Sequence, residues 1–314
     1  MELRQLRYFV AIAEHGTFSK AASKVHIAQS ALSHQLALLE EELGAALFLR
    51  SRRGVTLTEA GVLFRAHALS ILRQVADAQA SVSSLLKAPS GRVIFGLPHS
   101  ISHALALPLI AAVRQELPLV NLELTEELTG NLAQQLQAGS LHLSILFDDG
   151  QLDDFLFEAL VSERMSLIFQ PQASTVQSKT SVSFREALSR PLILPAQPHG
   201  VRPIIEAAAS QAGLPPPNVA ADISSISILR NSLLAGMGQT ILPVMPLKAE
   251  IESGLLRSLP IRAPAITRTV ALCQARHIPL STAAQAVSVV AKRVMRELCL
   301  DKVWIDATFV GSAD

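Results

Sequence analysis

The sequence predicts an α + α/β protein. A helical N-terminal part covers residues 1–58, a long helix covers 59–88, and an α/β part follows that is long enough for two lobes. Three observations predict this. The chain has 314 residues, more than one ordinary domain holds. Its periodicity changes near residue 90: earlier apolar patterns are helical apart from a turn-rich patch at 50–57, whereas later ones are short apolar runs alternating with helical stretches. Ala88-Pro89-Ser90-Gly91 punctuates the change. Hydrophobic residues are 49% and charged residues 17%, a composition that excludes disorder. Lys plus Arg is 27 against 26 for Asp plus Glu, so a broadly polybasic chain is excluded but a local basic patch is not.

The first helix carries the stripe Leu3, Leu6, Val10 and Ala13 and stops at Gly16. Thr17 caps a second, short helix with Ala21, Ala22 and Val25 inward. After a break at 26–28, a third runs from about Gln29 to Leu43 with Leu32, Leu36 and Leu39 inward, and Gly44 ends it. So short a break before a helix with a polar N-terminal face fits helix-turn-helix, a pattern that other small helical bundles also satisfy.

Residues 47–57 have apolar flanks around Arg50, Arg52, Arg53 and Gly54, and read as a β-hairpin with a basic tip. Such a tip is either a solvated turn or a wing lying along phosphates. Its place directly after the third helix favours the wing. Thr58 then caps the long helix, in which Phe64, Ala68, Ile71, Val75, Ala78, Val82 and Leu85 recur at spacings of 4 and 3. The seam Phe64, Ile71, Val75, Val82 and Leu85 is expected to pair two subunits; the alternative is a helix packed on its own domain.

Strands are expected at 92–97, 120–124, 141–147, 164–169, 191–194, 218–222, 239–242 and 269–273. Helices are expected at 105–116, 131–138, 201–212, 225–235 and 281–298. This alternation indicates parallel α/β sheets, whose ligands lie in a crevice outside the strands' carboxyl ends.

Several segments carry a family resemblance. Residues 28–40 (Ala28-Gln29-Ser30-Ala31-Leu32-Ser33-His34-Gln35-Leu36 through Leu39-Glu40), Leu47-Phe48-Leu49-Arg50 and Val55-Thr56-Leu57-Thr58-Glu59-Ala60-Gly61 resemble the LysR-type transcriptional regulators, in order and spacing. The stretches 139–145 and 235–243 resemble that family's effector domain, and 26–40, 53–56 and 71–74 resemble its nitrogen assimilation control subgroup.

The resemblance implies a winged helix-turn-helix, a linker helix that pairs subunits, and a two-lobed effector domain like periplasmic solute-binding proteins. Lobe I would comprise 89–163 and 267–300, lobe II 164–266, and a C-terminal tail 301–314. The implied partners are promoter DNA, further copies of the chain in a dimer of dimers, a small metabolite and RNA polymerase, with no membrane. Ala28 stands where Ser or Thr often caps the recognition helix, Ser30 where Pro is usual, and His142 where Asp is usual.

From that frame Gln29, Ser30, Ser33 and His34 are expected to face the major groove, and Arg50, Arg52 and Arg53 the DNA backbone or minor groove. Ser100, Ser102, Thr129, Phe147, His199 and Arg202 are expected to line the effector cleft, and they suit a small, anionic metabolite. No cofactor, metal site or catalytic group is expected. The sequence has no G-x-G-x-x-G, P-loop, H-E-x-x-H or G-x-S-x-G motif. His99 and His103, four apart, lack a third ligand at metal spacing. Cys273 and Cys299 fit a reducing cytoplasm, and the charged N-terminus does not read as a secretory signal. An exported solute-binding protein leaves residues 1–88 without a purpose. An α/β enzyme using the same cleft is the other alternative.

Overall fold

The computed structural model describes residues 1–51, 54–84, 88–148, 150, 152–173, 179–196 and 201–312. They form two compact units, one built on residues 1–86 and the other on 87–137 and 141–314.

In the first unit, α1 (Leu3–His15), α2 (Phe18–Lys24) and α3 (Gln29–Leu43) enclose a core of Leu6, Phe9, Ile12, Leu32, Leu36 and Leu39. Each such leucine, fully withdrawn from water, contributes about 1.5–3 kcal/mol of transfer free energy. Gly16 and Gly44 end α1 and α3 in the left-handed conformation, the residue type that adopts it without strain. Thr17 caps α2 by accepting from the Lys20 N–H at 3.3 Å.

An antiparallel hairpin, β1 (Phe48–Ser51) and β2 (Gly54–Leu57), follows in the register Phe48↔Leu57 to Ser51↔Gly54. It docks through the Val55 N–H, which donates to the Gly16 carbonyl at 2.9 Å. Glu40 ties α3 to the hairpin by accepting from the Leu47 N–H at 2.7 Å. Helix α4 (Glu59–Ser84) starts under Thr58, whose hydroxyl accepts from the Gly61 N–H at 2.9 Å. At Gly61 the helix comes so close to the residue preceding β1 that a Cβ would sit 2.1 Å from the Leu47 carbonyl oxygen, so only glycine fits without a shift.

Part of the α4 heptad packs within its own domain. Phe64 meets Phe9 edge-on at 5.0 Å between ring centroids, Ala68 is fully buried, and Ile71 packs on the same core. These positions hold the helix to its own domain. Val75 is half-buried, Val82 is 72% exposed, and Leu85 lies outside the described residues. A 4-3 spacing records an apolar stripe without saying which surface covers it.

The second unit holds two six-stranded sheets. The first runs in the order β14 (Ala307–Phe309), β6 (Phe155–Arg164), β13 (Thr267–Ala275), β5 (Leu143–Asp148), β3 (Gly91–Pro98), β4 (Val120–Glu127). The second is β10 (Val219–Asp222), β9 (Leu192–Leu194), β11 (Gln239–Leu242), β7 (Ser166–Phe169), β12 (Arg257–Arg262), β8 (Val182–Ser183). Helices α5 (His99–Glu116), α6 (Thr129–Gln137) and α11 (Thr282–Leu300) cover the first sheet. Helices α7 (Phe184–Leu188), α8 (Arg202–Gln211), α9 (Ile226–Leu234) and α10 (Lys248–Glu252) accompany the second.

The sheets are mixed, not purely parallel as expected. β3 pairs parallel with β4 and β5, but β13 runs antiparallel to β5 and β6, and β7 antiparallel to β11 and β12. The cause is the chain passing straight from β6 into β7, and from β12 into β13, without a crossover helix. The two passages are bonded to each other: the Met165 N–H donates to the Ile266 carbonyl at 2.8 Å.

β14 pairs with β6 and closes the first sheet, and Trp304 is buried in that lobe's core, so residues 301–312 are part of lobe I. His142 also has a structural account. Its Nδ1 accepts from the Ile94 N–H at 2.9 Å while its own backbone N–H donates to the Ile94 carbonyl, so the ring extends the contact between β3 and the approach to β5.

Candidate functional site

On α3 the inward leucines leave Gln29, Ser30 and His34 exposed on the opposite face, with Ser33 half-buried beside them. Ala28, the cap position, makes no side-chain bond to the first turn, so that turn keeps N–H groups free for an outside acceptor. Arg50 is exposed along β1, with its guanidinium 4.7 Å from the Phe18 ring centroid, which fixes it against α2. Arg52 and Arg53 lie outside the described residues.

In the second unit a cavity of about 50 Å³ lies between the two sheets. Four helices begin at its wall: α5 with Pro98, His99 and Ser100, α6 with Thr129, α8 with Val201, and α9 with Ile226. Neither α5 nor α8 has a side-chain cap. Of the expected cleft residues, Ser100, Thr129 and Phe147 are brought together here.

Ser102 and Arg202 are not, and His199 lies outside the described residues. Residues 99–103, which fall between the expected strand at 92–97 and the expected helix at 105–116, open α5. Its first turn sends Ser102 away from Ser100, into a larger open pocket of about 760 Å³. There its hydroxyl donates to Glu126 at 2.7 Å. Burial raises the Glu126 carboxyl, but hydrogen bonds from Ser102 and His99 and the charge of His99 and His103 outweigh it, leaving the carboxyl below its ordinary range. Arg202 is consumed within its own lobe by Glu206 at 2.5 Å and Asp222 at 3.1 Å.

The sequence reading missed Arg268. It lines the cavity from β13, 2% exposed, with its guanidinium carbon 4.1 Å from the Phe147 ring centroid. Its Nε donates to Glu163 at 2.5 Å, and the Trp304 indole N–H donates to the other oxygen of that carboxylate at 2.8 Å. Arg268 and Glu163 are direct cross-strand partners although 105 residues apart. No local pattern marks that pairing; only the antiparallel register of β6 and β13 does. The acidic Glu127 at the same wall is tied to Asn131 at 3.2 Å.

Among the described residues, no group of three His, Cys, Asp or Glu side chains is arranged to hold a metal. No helix among the described residues is long and apolar enough to cross a membrane. Both thiols are buried, and that burial pushes Cys273 up to about 12 and Cys299 to about 11.

A helix-turn-helix unit with an outward polar helix face, followed by a two-lobed α/β unit with a cavity ringed by helix N-termini, defines a DNA-binding regulator with a ligand-binding domain. Comparison with known proteins gives the family. Residues 3–62 match the bacterial regulatory helix-turn-helix protein model of the lysR family, and residues 87–296 match the LysR substrate binding domain. The chain belongs to the LysR family of transcriptional regulators.

It is 33% identical to the nitrogen assimilation regulatory protein nac of Klebsiella aerogenes, over 91% of this chain and 93% of that protein. It is 30% identical to the DNA-binding transcriptional dual regulator OxyR of Escherichia coli K12, over 89% and 91%. Among solved structures, a full-length OxyR variant from Pseudomonas aeruginosa matches with a TM-score of 0.71 at 25% identity, covering 98% of both chains. CbnR in complex with its target DNA matches in fold with a TM-score of 0.69 at 20% identity, over 94% of this chain and all of that one.

Proposed function

We propose that this regulator binds promoters as a dimer of dimers in the cytoplasm and is switched by a small anionic metabolite held between the two lobes. It needs no cofactor and performs no catalysis. Gln29, Ser30, Ser33 and His34 read the major groove, Arg50 and the hairpin tip engage the backbone, and RNA polymerase is the partner of the DNA-bound complex. The C-terminal half of the α4 stripe, with Val75 and Val82, supplies subunit pairing together with the exposed Val62 and Leu63, because Phe64 and Ile71 are already used within the domain. The likeness to nac supports target genes in nitrogen assimilation.

The observation that carries the effector reading is the convergence of four helix N-termini on one cavity. Each N-terminus directs the positive end of its helix dipole, about half a charge, at the same small volume, and α5 and α8 do so without a side-chain cap. To test the reading, DNA fragments selected by the full chain from a random-sequence pool are titrated by fluorescence anisotropy with and without a panel of metabolites. Selection of a defined motif, and a shift in its affinity by at least one anionic metabolite, is expected. Enrichment of no motif, or affinity indifferent to every metabolite, would overturn it.

A further inference from the structure

We infer that Arg268 is the anchor of the effector and that the ligand it takes is a compact carboxylate carrying a hydrogen-bond donor next to the carboxylate, such as a hydroxyl or ammonium. The inference rests on the inter-lobe reading above and goes beyond it by naming the residue and the ligand chemistry.

A guanidinium has five N–H donors and normally spends them when buried. Arg268 spends Nε on Glu163, but its buried Nη2 has no hydrogen-bond partner among the described residues. An unmet charged donor withdrawn from water is costly, and Arg268 itself lines the cavity that an acceptor would enter.

The group is also held still. Phe147 covers one face of the guanidinium, Glu163 fixes Nε, and Trp304 fixes Glu163. A fixed donor loses little freedom on binding, which distinguishes an anchor from a long surface side chain.

Size and charge narrow the ligand. The cavity is about 50 Å³ and a water needs roughly 10–15 Å³, so the group that enters its narrow part is a few heavy atoms. The helix N-termini favour an anion. Glu127 at the same wall opposes a second negative charge and offers an acceptor to a neighbouring hydroxyl or ammonium. A monocarboxylate with an adjacent donor meets both conditions; a dianionic phosphate does not.

Trp304 is the chain's single tryptophan and shares a carboxylate with Arg268, so its emission reports on the site. The full chain is titrated with acetate, lactate, alanine, their primary amides and inorganic phosphate, read by Trp304 fluorescence and by calorimetry. Saturable binding of lactate or alanine with an emission change, and none by the amides or phosphate, is expected. Arg268→Lys keeps the charge but withdraws the fixed donor and should weaken binding by about 10- to 100-fold, the worth of one charge-assisted hydrogen bond.

The double variant Glu163→Gln with Arg268→Gln removes the ion pair without stranding a full charge, and keeps the test meaningful if Arg268→Lys does not fold; folding of each is checked by circular dichroism. It should not bind. A carboxylate that binds wild type and both variants equally would overturn the anchor while leaving the inter-lobe effector site standing. Absence of binding by every compound in the panel would overturn the ligand class. A metabolite that shifts DNA affinity without moving Trp304 emission would count against the inter-lobe site itself.

Discussion

Replacing Glu163 by Gln should be among the most damaging single changes to the second unit. Both partners of the pair are 1% exposed at their side chains, so neither charge is screened by water. The carboxylate accepts from two donors, the Arg268 Nε–H and the Trp304 indole N–H. A Gln amide presents one oxygen and one NH₂, so one donor must face another donor, and the Arg268 charge is left uncompensated. A hydrogen bond to a charged group is worth about 1.5–3 kcal/mol, and breaking a buried pair on one side costs about 3–5 kcal/mol. We expect a loss in that second range.

Denaturation of the full chain followed by Trp304 emission isolates the second unit, because the first contains no tryptophan. The double variant Glu163→Met with Arg268→Met removes both charges and should be less harmed than Glu163→Gln, losing mainly the acceptor of the Trp304 indole N–H, about 1–3 kcal/mol. A Glu163→Gln protein within about 1 kcal/mol of wild type, or single and double variants equally destabilised, would refute the reasoning.

Other consequences are as direct. Ala28→Ser supplies the missing cap of α3 and should raise the stability of the first unit by about 1 kcal/mol in thermal denaturation. Gln29→Ala should cost about 1–3 kcal/mol on a specific site and little on random DNA; equal losses on both would move Gln29 from base reading to support. Ile71→Lys should lower the melting point of the first unit itself, because Ile71 packs on that unit's core; lost dimerisation with an unchanged melting point would restore the free seam. Cys273 and Cys299 should not react with a thiol reagent at pH 8 until the chain unfolds. Their raised values mean that the protonated, buried thiols support the fold below the ordinary value of 9.0, and that this support fades as pH climbs towards 11–12. Rapid labelling of the native protein at pH 8 would contradict this.

The N-terminal unit was legible because its signals are local. Leu32, Leu36 and Leu39 repeat with helical period, glycines stop the helices, and Thr17 and Thr58 cap them. β6 was missed before Arg164 because Phe155–Arg164 alternates poorly: its burial mixes inward and outward positions where both β13 and β14 pair with it. β12 and β14 are short strands defined by partners far along the chain. The same limit governs the site. Ser100, Thr129 and Phe147 could be chosen because strand ends and helix starts are local features. Arg202 looked equally suitable, and only the nearness of Glu206 and Asp222 removes it. Arg268 sits between two threonines in an unremarkable strand, and its importance arises from Glu163 and Trp304, neither of them nearby in sequence.

The central claim, a promoter-specific regulator that reads DNA through the outer face of α3, is tested most directly by a genome-wide occupancy map of the intact protein alongside a Gln29→Ala, His34→Ala double variant. Both substitutions lie on exposed helix surface and leave the core untouched. The account predicts discrete wild-type peaks upstream of genes, sharing one motif, that collapse in the variant while the protein stays folded and abundant. Occupancy without discrete peaks, or peaks that the variant retains at full height, would contradict it.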